Sequence, residues 1–153
     1  MTERPVDPDV DLRVPAQRSE VRWQVVAVIA AGGALGALSR HAIQAALPAG
    51  PGDFQWATFL INLSGCLLIG VLMVAITEVW QPHPLVRPFL GVGVLGGYTT
   101  FSTYAVDVQR AINAHAPVTG LAYLVATMLG ALAAVTVGMW LARRAARTWT
   151  RAR

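Results

Sequence analysis

Gly96-Gly97-Tyr98-Thr99-Thr100-Phe101-Ser102-Thr103-Tyr104 stands at the centre of residues 85–113, an apolar stretch that would otherwise read as one membrane-spanning helix. The double glycine is followed by the hydroxyls of Thr99, Thr100, Ser102 and Thr103, with Tyr98, Phe101 and Tyr104 among them. In hydrocarbon every backbone N–H and C=O needs an internal partner. A helix-weakening Gly-Gly beside a hydroxyl run therefore survives only where protein or a water-filled cavity satisfies the freed groups. The pattern predicts a third helix interrupted near Gly96 to Thr99, and a broken helix at mid-membrane is a place to bind an ion.

The rest of the chain supplies the membrane context. Its 153 residues are 55% apolar and 13% charged, against about 25% charged in a soluble domain. Apolar stretches run near Trp23 to Leu47, Trp56 to Trp80, Leu85 to Asn113 and Val118 to Ala142. Each reaches the roughly 20 residues a bilayer core requires. Short connections make residues 23–145 one compact all-α domain of four transmembrane helices, followed by a basic tail at 146–153. Residues 1–22, polar and of mixed charge, read as a disordered cytoplasmic tail. The first apolar run begins too late and is too long for a cleaved signal, so it stays in the protein. Trp23, Trp56, Trp80 and Trp140 fall near the ends of the stretches, as an interfacial aromatic belt requires.

All twelve basic residues are arginines, unevenly placed. With four spans, one side holds Arg4, Arg13, Arg18, Arg22, Arg87, Arg143, Arg144, Arg147, Arg151 and Arg153, and the other only Arg40 and Arg110. The positive-inside rule then puts both termini in the cytoplasm of a multi-pass protein of the inner (plasma) membrane. The net charge of +4 reflects this topology and contact with lipid headgroups. No aromatic-interleaved basic groove points to nucleic acid. The single cysteine, Cys66, reads as a small packing residue.

Gly32 and Gly36 in the first helix, Gly93 and Gly97 in the third, and Ala126, Gly130, Ala134 and Gly138 in the fourth repeat a small-xxx-small spacing that lets backbones approach closely. In the second helix Thr58, Asn62 and Cys66 share a face. An amide as deep as Asn62 is costly unless hydrogen-bonded. Alone it reads as glue between helices, and beside the hydroxyl run as part of a site. Phe101 and Tyr104 lie at i, i+3, in the company of Thr99, Thr100, Ser102, Thr103, Asn62 and Thr127. Neutral donors and aromatic ring edges suit a small, strongly hydrated anion that must pass without being trapped by a fixed cation. Carbonyls freed at Gly96 and Gly97 suit a sodium ion, and a polar TTxST run also serves as an ordinary cap where a helix restarts.

Gly32 to Arg40, Thr58 to Gly65 and Gly96 to Tyr104 together resemble the ordered signatures of the Fluc/CrcB fluoride channels, the last matching their GGxTTFSTF segment. The resemblance implies a four-helix subunit in an antiparallel (inverted) dimer, with fluoride pores and a structural sodium ion at the dimer centre. By motif position, Gly96 and Thr99 would donate carbonyls to sodium, Asn62 and Phe101 would line the fluoride path, and Ser102 and Thr103 would add hydroxyls. Thr127 falls where the family has a fourth-helix serine, Asp107 where it has an acidic residue near a pore vestibule, and Arg40 matches the first-helix arginine. Arg40 and Asp107 also read as an interfacial ion pair or as snorkelling anchors. Tyr104 stands where the family shows a second phenylalanine, and its hydroxyl would either donate to fluoride or plug the path. A chain that inserts both ways should show little arginine bias, and this one has ten against two, so it resembles the cytoplasmic-termini member of a pair whose second subunit is a homologue of opposite orientation; an identical chain is the alternative.

The function implied is passive fluoride export that lowers cytoplasmic fluoride, with no turnover chemistry. A proton-coupled small multidrug exporter is the alternative from another class, but the first helix lacks a buried carboxylate, and Glu78 and Asp107 read as lying toward helix ends. A non-conducting partner subunit is the third. His41, His83 and His115 have no metal-ligand spacing and read as interfacial.

Overall fold

The computed structural model describes residues 23–79 and 82–151; the tail at 1–22 and the belt residue Trp80 lie outside the described residues. Helix α1 spans Trp23–Ala46 and α2 spans Trp56–Val74, prolonged by a π-helical turn, π1, at Ala75–Val79. The third stretch is built in pieces: π2 at Arg87–Leu95, one α turn, α3, at Gly96–Tyr98, and then α4 at Ser102–Asn113. Helix α5 runs from Pro117 to Arg151, so no helix end separates residues 146–151 from the span before them. Three helices are long and apolar enough to cross a membrane, Trp23–Ala46, Trp56–Val79 and Pro117–Thr148. The interrupted third element is the fourth apolar stretch anticipated from composition.

Glycines decide which helices pair. A Cβ on Gly32 or Gly36 would strike the backbone of residues 89–98, and one on Gly97 would strike the backbone of Gly33. These contacts lock α1 against π2 and α3 along the small-residue seam. A second seam joins α2 to α5, where a Cβ on Gly70 would meet Val135 and one on Gly138 would meet Leu67. No glycine among the described residues has a positive φ. Their service is close approach, not backbone freedom.

The contact registers set the chain directions. Gly32 meets Gly93 and Gly36 meets Gly97, so α1 and π2–α3 run parallel. Asn62 meets Thr100 while Thr58 meets Asp107, so α2 runs against α4. Helix α2 runs with α5, from the Phe54–Tyr123 ring contact at one end to the Glu78–Arg143 ion pair at the other. The elements alternate in direction, as short connections demand.

The interruption lies slightly further along the chain than the glycines suggest. Gly96–Tyr98 remain helical; the chain turns extended at Thr99 (φ −76°, ψ 161°) and winds again from Ser102. The break falls at Thr99–Phe101 because side chains there capture the backbone groups a helix would have paired.

Candidate functional site: a groove at the helix break

Thr100 is the centre of that capture. Its N–H donates to Asn62 Oδ1 and its carbonyl accepts from Asn62 Nδ2, both at 3.0 Å. This pairing leaves no ambiguity in the amide's orientation, because an N–H must meet the oxygen and a C=O the nitrogen. The Thr100 hydroxyl accepts from the Thr103 N–H at 3.1 Å and donates to Thr103 Oγ1 at 3.0 Å. It therefore caps the restarting helix α4. Thr100, read in the sequence only as one hydroxyl of the run, is the residue held by Asn62; the signal for its capping role was the T-x-x-T spacing.

Capture at Thr100 frees the carbonyls that sequence reasoning assigned to sodium. In a continuous α-helix the Gly96 carbonyl accepts from residue 100 and the Thr99 carbonyl from residue 103. Here those N–H groups go to Asn62 Oδ1 and Thr100 Oγ1. Gly96 is exposed on the subunit surface. Arg40 sends Nη1 to the Thr99 carbonyl at 3.3 Å, and Asp107 pairs with Arg110 at 3.4 Å. Arg40 and Asp107 are thus engaged elsewhere and do not form an ion pair with each other.

Beside the break lies a largely apolar groove of about 640 Å³, walled by Ile69, Met128, Leu132 and Val135, into which Asn62, Thr99, Thr100, Phe101, Tyr104 and Thr127 also face. Ser102 and Thr103, also proposed from the motif, are not in that lining. They serve α4's first turn, where Ser102 Oγ lies 3.4 Å from Thr100 Oγ1. Phe101 projects from the subunit with 80% of its surface exposed. The Tyr104 ring stacks obliquely 5.7 Å from Phe101 and 5.4 Å from Tyr123. Its hydroxyl donates to the Leu124 carbonyl of α5 at 2.8 Å. The proton of that extra hydroxyl is thus given to helix packing, while the side chain itself lines the groove.

Two donors on the groove are not spent. Asn62 has a second amide N–H beyond the one given to Thr100. The Thr127 hydroxyl, 4% exposed, has no hydrogen-bond partner. A buried hydroxyl without a partner is costly, about 1–3 kcal/mol, and such groups mark places where something else binds. Tyr123, unnoticed in the sequence, lies one turn before Thr127 on α5, and its buried hydroxyl also lacks a hydrogen bond.

Asp107, expected toward a helix end, is buried between α2, α4 and α5 with 4% exposure. Thr58 Oγ1 donates to it at 3.1 Å. Packing explains the difference: the face of α4 that carries Asp107 lies against α2, where Thr58 meets it, and α5. The carboxylate does not line the groove. Among the described residues no three His, Cys, Asp or Glu side chains gather to hold a metal ion, which leaves carbonyls as the candidate cation ligands.

Residues 27–139, which contain every part of this geometry, match the family described as CrcB-like protein, Camphor Resistance (CrcB). The chain belongs to the CrcB-like family. It is 52% identical over 126 residues to the fluoride-specific ion channel FluC 2 of Streptomyces avermitilis, covering 80% of this chain and 79% of the relative. It is 46% identical over 132 residues to FluC 2 of Nocardia farcinica, covering 86% and 94% respectively. FluC 1 of Streptomyces coelicolor is 56% identical over 120 residues, 78% of each chain. A further CrcB-like relative in S. avermitilis, FluC 3, is 40% identical over 129 residues, so one organism carries more than one such chain.

Proposed function

We propose that this chain is a subunit of a fluoride-selective channel that lets fluoride leave the cytoplasm passively through the plasma membrane, without turnover chemistry. The observation that carries the reading is the groove at the break, whose lining brings the neutral donors Asn62 and Thr127 together with the rings of Phe101 and Tyr104. Fluoride is small and holds its water tightly. Leaving water requires donors that replace it, and leaving the channel requires that none of them be a fixed cation. No arginine or histidine lines the groove. The names of the relatives support fluoride as the ion.

The functional unit in this reading is an antiparallel dimer. A subunit alone would leave the carbonyl of the exposed Gly96 without the helical partner that the Thr100 N–H gives instead to Asn62, a loss no lipid can make good. A second subunit covering the break, with Phe101 inserted across the contact, removes that cost. The Gly96 and Thr99 carbonyls of both subunits would hold a sodium ion, which supplies positive charge to offset the converging dipoles. Arg40 already donates to the Thr99 carbonyl and competes for that oxygen, so a sodium site there needs further carbonyls from the partner. The ten-to-two arginine distribution and the presence of FluC 2 and FluC 3 in one organism favour a paired homologue as partner, with this chain's termini in the cytoplasm.

The test is reconstitution of the purified chain, alone and with a co-expressed homologue, followed by parallel measurement of fluoride and chloride efflux. Fluoride efflux far above chloride, without a proton gradient, is the expected result. Drug-stimulated proton flux with no fluoride conductance would establish the exporter instead.

A further inference from the structure

Helix α5 outlasts the bilayer. Its 35 residues reach about 52 Å at 1.5 Å per residue, against about 30 Å of hydrocarbon. Arg143 lies about 39 Å from the Pro117 end on the same rise. The projecting turns therefore stand among lipid headgroups.

There Arg143, Arg144 and Arg147 line a groove of about 610 Å³ that continues toward the bilayer over Met139 and Trp140. The cationic end is organised by contacts already in place. Glu78 holds Arg143 in a fork, with Nε to Oε1 at 3.0 Å and Nη2 to Oε1 at 2.8 Å, leaving Nη1 outside the pairing. The Arg144 guanidinium lies 5.4 Å from the centre of the Trp140 ring, fixed by a cation–π contact. Among the described residues, the one carboxylate paired at this end is Glu78, and it pairs with Arg143, while Arg144 and Arg147 bring two further guanidinium groups to the same groove. Planar guanidinium forks match phosphate oxygens, and a ring-and-thioether wall one turn deeper matches an acyl chain.

We propose that this groove binds an anionic phospholipid, the phosphodiester on the three arginines and an acyl chain along Met139 and Trp140. A soluble phosphate has the same headgroup chemistry but nothing to place on the apolar end. The arginines lie about two turns or more along α5 from Val135 and further from Thr127, which line the ion pathway.

The experiment uses the full chain in nanodiscs of phosphatidylcholine carrying graded phosphatidylglycerol, with lipids retained after detergent release counted by native mass spectrometry. Wild type should retain phosphatidylglycerol over phosphatidylcholine. Arg144→Gln/Arg147→Gln should lose on the order of thirtyfold of that preference, given the contribution of each arginine near a charged surface. Arg87→Gln, which removes an exposed arginine elsewhere, should keep the preference, and all variants should keep their fluoride efflux. Equal retention of both lipids by wild type overturns the proposal without recourse to any variant. So does an undiminished preference in the double variant, or an equal loss in Arg87→Gln, which would mean a diffuse positive field. Displacement of the lipid by inorganic phosphate would assign the groove to a soluble anion and overturn the lipid reading.

Discussion

The side-chain amide of Asn62 holds both backbone polar groups of Thr100, accepting from its N–H and donating to its carbonyl at 3.0 Å each. One side chain thus takes the place of the helical hydrogen bonds that the break removes. Asn62 is consequently a clamp as well as a groove donor. Asn62→Ala should abolish fluoride efflux and also lower the stability of the subunit, by about 1–3 kcal/mol for each buried group left unpaired. Fluoride efflux and thermal unfolding in detergent measure the two effects. Wild-type unfolding with lost efflux would mean that water replaces the clamp and that only the pathway role is real.

Thr127→Val separates the same roles in the opposite sense. The hydroxyl has no partner, so replacing it with a methyl of similar shape should leave stability unchanged or slightly raised. Fluoride efflux should fall by roughly tenfold or more, the equivalent of about 1.4 kcal/mol in the barrier. Retained efflux in a stable variant would remove Thr127 from the pathway.

For Tyr104→Phe, the hydrogen bond to Leu124 makes the expected loss structural. Stability should drop by about 0.5–1.5 kcal/mol while efflux stays within a few-fold of wild type, because the ring edge beside Phe101 remains. An efflux collapse at unchanged stability would instead place the hydroxyl on the ion's route.

Phe101→Ile should remove efflux with little change in the folding of the isolated subunit, since the ring is 80% exposed there and supports no core. Efflux is read in liposomes and dimer formation by cross-linking. A variant that no longer pairs would show that the ring contributes mainly to the subunit contact.

The arginine distribution predicts that tags at both termini report a cytoplasmic location when the chain is expressed alone, and that efflux appears only with an oppositely inserted partner. Tag accessibility in intact cells checks the first part and fluoride efflux the second. Equal populations of both orientations with robust efflux would make the chain a dual-topology homodimer.

Much of this architecture was legible because a bilayer constrains sequence in one dimension. Length and hydropathy marked the apolar stretches, and the small-xxx-small spacing marked Gly32, Gly36, Gly93 and Gly97 as a seam before any contact was visible. Gly-Gly and the hydroxyl run likewise announced an interruption. The expected range, Gly96 to Thr99, meets the break only at its last residue, because glycine suggests backbone freedom. In this fold the same residues remain helical and let α1 and α3 touch.

The sequence by itself determined the apolar spans, their charge bias and the presence of an interrupted helix, since each follows from the composition of a contiguous segment. Tertiary structure alone decided where the interruption falls, which donors stay unspent and which are consumed. Asn62 and Thr100 are 38 positions apart, and Tyr104 and Leu124 are 20 apart. Whether such groups meet depends on the rotation and register of packed helices, set by the glycine seams. The Tyr104 hydroxyl finds a carbonyl while Thr127 on the same helix as Leu124 finds none, because hydrogen bonding is directional and a helix presents its residues about 100° apart around its axis.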